Sequence, residues 1–121
     1  MADATLAEMR NRVLEKLHVL IAGETAESED ATTIETVIEN INEELREDEI
    51  CYWSDTGTPR HLMETLAAIY ACHAANDYMD AQEAAAFRSD RLTGIDPAMA
   101  RLRDLTAAKR RVATPSKGTY F

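Results

Sequence analysis

The chain has 121 residues, an apolar share of 45%, an aromatic share of 6% and a formal net charge of −9. That length makes one domain with one modest core, and the thin aromatic content means the core rests on Leu, Ile, Val and Ala, as helical bundles do. No stretch nears the roughly 18 apolar residues of a membrane-spanning helix, and Met1 to Thr5 lacks the basic start of a signal peptide, so synthesis in the cytoplasm and no membrane contact are expected. Residues 1–50 carry 14 acidic and 4 basic side chains, a net of −10, whereas residues 81–121 carry 4 acidic and 8 basic, a net of +4. An acidic first half repels nucleic-acid phosphates. It also predicts weak self-association at low salt, through repulsion between like-charged neighbours.

The first predicted helix opens at Thr5, with Glu8 three residues on in capping-box spacing. Leu6, Met9, Val13, Leu17 and Leu20 recur at helical steps, Leu14 and Ile21 widen the stripe, and Gly23 is the expected left-handed cap. Glu8 and Arg12 form an expected surface pair at four-residue spacing. The second helix is expected to begin with Ser28 as its cap and Glu29 and Asp30 in its first turn. Its buried stripe is Ile34, Val37, Ile38, Ile41 and Leu45. The opposite face is Glu35, Glu39, Asn42, Glu43 and Arg46, almost wholly acidic.

Glu49 to Trp53 is rich in strand-favouring residues and predicts either one short strand near 50–53 or a plain connection with a buried Trp53. Thr58 and Pro59 then announce the third helix as cap and first helical residue. From His61 to Asn76 the single formal charge is Glu64. Leu62, Leu66, Ile69, Tyr70 and His73 make one face, and Ala67, Ala71, Ala74 and Ala75 a small-residue face. A helix apolar on most sides is the central one of a bundle. Asp80 and Glu83 repeat the capping-box spacing before a helix expected to stop at Gly94. Asp96-Pro97 starts the last helix, with Met99, Leu102 and Leu105 inward and Arg101, Arg103, Lys109, Arg110 and Arg111 outward. The result is a mainly α class: a bundle of four to five helices over residues 1–111, and an extended C-terminal tail over 112–121.

Chemistry is sparse. None of the four glycines lies in a phosphate-binding loop, and no G-x-S-x-G or H-E-x-x-H occurs. Cys72 and His73 are neighbours, pointing about 100° apart on a helix, so they do not share one metal readily. Cys72 is expected in the core and His73 half-buried. No enzyme activity, metal or cofactor is expected. The tail stands out: Tyr120 and Phe121 are two of only seven aromatic residues. Such a tail either folds back onto its own bundle or is a docking peptide that orders on a partner, anchored by its terminal aromatics.

The stretches VLIAGETAESEDATTIETVIENINEEL and YWSDTGTPRHLMETLAAIYACHAANDY, with the closing GTYF, cover roughly half the chain. In pattern they resemble the small helical head–tail connector (adaptor) proteins of tailed bacteriophages. That group includes the tail accessory factor that binds beneath the portal ring. The resemblance implies a structural protein of the virion neck, made in the host cytoplasm. It would form a ring, typically of twelve copies, under the portal protein, contact further tail or neck proteins, and let DNA pass without specific binding. It also implies that Thr114, Pro115, Ser116, Lys117, Gly118, Thr119, Tyr120 and Phe121 dock on the portal. Glu35, Glu39 and Glu43 would line the channel or an inter-subunit surface. The alternatives are a small helical regulator of one protein partner and, third, an acidic DNA mimic.

Overall fold

The computed structural model describes residues 3–21 and 26–113. Within them the elements run β1 (Ala4–Thr5), α1 (Leu6–Lys16), α2 (Ser28–Glu47), β2 (Gly57–Thr58), a 3-10 turn (Arg60–Leu62), α3 (Met63–Tyr78), α4 (Ala81–Ser89) and α5 (Ile95–Ala113). The protein is a small helical bundle. α3 is its axis, packed by α1 and α2 and by α4 and α5.

α1 starts as its sequence dictates: the Thr5 hydroxyl accepts from the Glu8 amide at 3.1 Å, and the Glu8 carboxylate accepts from the Thr5 amide at 3.4 Å. It ends sooner than the apolar period suggests, at Lys16. His18 takes φ 62°. The amides of His18 and Val19 then close onto the carbonyls of Glu15 and Leu14, the pairing of a Schellman stop. Gly23 is therefore not the cap of this helix, and it lies outside the described residues. Ile21, assigned to the buried stripe, is 74% exposed because the helix has already stopped.

α2 repeats the device at its far end. Glu49 has φ 62°, and the Glu49 and Ile50 amides bond Arg46 and Leu45 carbonyls. Ile50 is buried, as is Leu45, giving the apolar contact that accompanies such stops. At the start of α2 the capping residue is Glu27 rather than Ser28, with no side-chain cap bond.

Residues 50–53 form no strand. The two-residue ladder lies instead between β1 and β2, antiparallel, with Ala4 opposite Thr58 and Thr5 opposite Gly57. Thr58 is thus in a strand and not a helix cap, while Pro59 has ψ 133° and precedes the 3-10 turn. A proline followed by a tight turn satisfies the steric demand that was expected to open the helix directly.

α3 buries Leu66, Ala67, Ile69, Tyr70, Ala71, Cys72, Ala74 and Ala75, and Leu62 of the preceding turn is buried too. Alanines around the axis let the other helices approach closely. His73, expected half-buried, is exposed.

α4 opens on Asp80, whose carboxylate accepts from the Glu83 amide at 2.8 Å. It stops at Ser89, five residues before Gly94. The Asp90 carboxylate then accepts from the Leu92 and Thr93 amides at 2.8 and 2.9 Å, turning the chain. Gly94 is needed at this turn for another reason: a Cβ there would lie 2.3 Å from the Arg88 carbonyl oxygen. α5 begins at Ile95, so Pro97 falls in its first turn, where amides have no helical partner to lose. Leu102 and Thr106 are fully buried, Met99 and Leu105 half-buried, and Arg101 and Arg103 exposed.

Candidate interaction surfaces

α1 and α3 run parallel, and two bidentate ion pairs with one sequence offset fix them. Arg60 grips Glu8 at 2.6 and 3.1 Å, and Arg12 grips Glu64 at 2.8 and 2.7 Å. Lys16 adds a third cation, 3.3 Å from Glu64. The expected Glu8–Arg12 pair does not form, because each residue meets a better partner on the turn before α3 or on α3 itself. The Arg12 guanidinium, with Lys16, lowers the Glu64 carboxyl to about 2. Arg60 likewise holds Glu8 below the usual carboxylate range.

A buried polar node locks the connection between α2 and α3. Tyr70 donates to the Asn42 side-chain oxygen. Asn42 donates to Asp55 at 2.9 Å, and Arg46 donates to the same Asp55 oxygen at 2.9 Å and to the Trp53 carbonyl at 3.2 Å. Burial pushes the Tyr70 hydroxyl well above its ordinary range, so it stays a donor. The Trp53 indole N–H is buried nearby and does not reach hydrogen-bond geometry.

Asn42 therefore does not belong to the acidic face to which its polarity assigned it. It follows Ile38 by four residues and precedes Leu45 by three, a spacing that places it in the buried stripe. The three glutamates of that face differ among themselves. Glu35 is half-buried and lies 3.6 Å from Arg10, Glu43 is exposed and lies 3.5 Å from Arg46, and Glu39 is exposed. They share one side of α2. The segment expected to dock, Thr114 to Phe121, lies outside the described residues.

Cys72 is buried and Cys51 half-buried, and burial raises both thiols. Among the described residues no three His, Cys, Asp or Glu side chains group to hold a metal, and no helix is long and apolar enough to cross a membrane.

One surface was not anticipated from sequence. A cleft of about 440 Å³ opens between the end of α1 and the start of α5, floored by α3. Phe87, Leu92, Pro97 and Ala98 give it apolar walls, and Lys16 (paired with Glu64), His18 and Arg101 line it as well. Leu92 is 86% exposed. The signal available in sequence was an Asp-Arg-Leu-Thr-Gly turn with a large apolar residue at its tip.

No protein-family model, no curated protein and no solved structure matches the chain.

Proposed function

We propose that this chain is a structural head–tail connector of a tailed bacteriophage, forming a ring under the portal protein. What supports the reading is the order of its parts. A capped helical hairpin, α1 and α2, leads to a Pro-preceded, alanine-rich central helix, and the final helix α5 feeds residues 114–121, as in the resemblance. In this reading Thr114 to Phe121 dock on the portal, with Tyr120 and Phe121 as anchors. Glu35, Glu39 and Glu43 face the channel or a neighbouring subunit, where acidic side chains let DNA slide without gripping it. Further tail or neck proteins bind the opposite side of the ring.

The experiment is reconstitution of the full chain with the portal protein of the same phage, read by electron microscopy. A ring of copies beneath the portal is expected. Deleting residues 114–121 is expected to leave the thermal transition of the bundle in place and to abolish docking. A truncated chain that still docks, or a one-to-one complex with some other protein in place of a ring, would overturn the reading in favour of a single-partner regulator.

A further inference from the structure

The cleft at the start of α5 gathers exposed apolar surface in a concave place. Ala68, Phe87, Leu92, Pro97 and Ala98 line it. Leu92 is almost wholly exposed at the tip of its turn, and Val19, exposed as well, follows the lining residue His18. Apolar groups collected in this way mark a contact site. Charge does not choose the occupant, because Lys16 and Glu64 in the lining are already paired with each other. Arg101 is exposed and has no ion-pair partner among the described residues. A guanidinium beside apolar walls suits the face of an aromatic ring.

We propose that residues 114–121 turn back along α5 and seat Tyr120 and Phe121 in the cleft of the same chain. Composition selects this segment. Of the other stretches outside the described residues, 22–25 is Ala-Gly-Glu-Thr, with no large apolar side chain. Met1 and Ala2 precede α1, and it is the opposite end of α1 that meets the cleft. Length agrees. α5 ends at Ala113, so at about 1.5 Å per residue the lining residues Arg101 and Ala98 lie about 18 and 22 Å back along its axis. With Thr114 and Pro115 reversing the direction of the chain, the six residues 116–121 extend about 20 Å at about 3.3 Å each. Both rings then come within side-chain reach of the level of Arg101 and Ala98.

Attachment favours the chain's own tail over that of a second copy, since a short tether holds the rings at an effective concentration on the order of millimolar. The cleft is built wholly of bundle residues, so the tail adds to the fold without being needed for it. The consequence for docking rests on the connector reading. Cleft and portal compete for the same two rings, and a seated tail lowers the apparent affinity for the portal by the fraction of chains whose tail is released. The cleft thus covers the aromatic anchors until the portal offers a better site.

The test is methyl and amide NMR of the full chain at low and at high protein concentration. Aromatic rings seated in the cleft displace the methyl resonances of Leu92 and Ala98 by their ring currents. The double variant Tyr120→Ala and Phe121→Ala is expected to move those resonances and to leave those of α2 in place. Leu92→Asp is expected to return Tyr120 and Phe121 to the positions they have in a free peptide of residues 114–121. Should Leu92→Asp disturb the turn, Leu92→Ser takes its place. The displacements should be the same at both concentrations. Cleft methyls that do not move in the tail variant would overturn the proposal, as would displacements that appear only at high concentration, which would mean the tail of a second copy. With portal protein added, Leu92→Asp is expected to dock at least about twofold more tightly than the wild type, its tail being released. Cleft displacements present in a chain that does not dock at all would count against the portal reading alone.

Discussion

The two sides of α3 are held by different physics. Toward α1 and α2 it meets large aliphatic side chains, Met9, Val13, Leu14, Ile34, Ile38 and Ile41, and is tied by Arg12–Glu64 and the Asn42–Tyr70–Asp55–Arg46 node, with Arg60–Glu8 just before its start. Toward α4 and α5 the buried contributions among the described residues are smaller: Ala84, Ala98, Leu102 and Thr106, with Arg88 bonding Asn76 at 3.2 Å across the seam. Large interlocking groups with directional bonds fix register, whereas small residues permit close approach without specifying it. The α4–α5 side is accordingly the one expected to open first, and it is the side that forms the wall of the cleft.

The largest effect tests whether both sides share one axis. Leu66 is fully buried on α3, and Leu66→Asp places an unpaired charge there, at a cost of several kcal/mol. The cooperative thermal transition should disappear altogether. If helicity and melting stay as in the wild type, α3 is not the common core.

Leu102→Ala comes next. Leu102 is the one large aliphatic side chain of α5 that is fully buried among the described residues, and its truncation is expected to cost about 2–5 kcal/mol. Hydrogen exchange should accelerate chiefly in α4 and α5. Equal acceleration in α1 and α2 would mean that the two sides open as one unit.

Tyr70→Phe probes the other side. It leaves the Asn42 side-chain oxygen buried without its donor, which costs about 1–3 kcal/mol. The urea midpoint should fall without a change of slope. Pairing it with Asn42→Leu gives a double-mutant cycle, and a coupling near zero would show that the bond contributes nothing.

Two of the helix caps were legible because caps are local chemistry. Thr5 with Glu8, and Asp80 with Glu83, sit where their spacing put them. The central place of α3 was legible from its lack of charge. Both Schellman stops were missed, since His18 and Glu49 carry no mark of a left-handed backbone. Such a position is set by what the next residue, Val19 or Ile50, finds to bond. The ladder was misplaced for a related reason: strand propensity favours 50–53, but pairing goes to whichever backbone lies beside β1. Neither the cleft nor the Asn42 node could be seen, because both depend on contacts between residues distant in sequence.

The smallest effect concerns acid. The Glu64 carboxyl is lowered from 4.5 to about 2, first by its hydrogen bonds from Arg12 and then by the charges of Lys16 and Arg12. A carboxyl whose folded value is depressed stabilises the fold above its unfolded value, and the contribution is lost as pH falls through the folded value. Stability from this group should therefore be complete above pH 4.5 and drain away between there and about pH 2. Its size is limited by solvent, since the Glu64 side chain is 62% exposed and an ion pair that wet is worth little. Glu64→Gln should lower the melting temperature slightly at pH 7 and not at all near pH 2, so the two curves converge in acid. Melting curves that stay parallel down to pH 2 would show that the Arg12–Glu64 pair does not tie α1 to α3, and the contrast between the two sides would then rest on aliphatic packing and the Asn42 node.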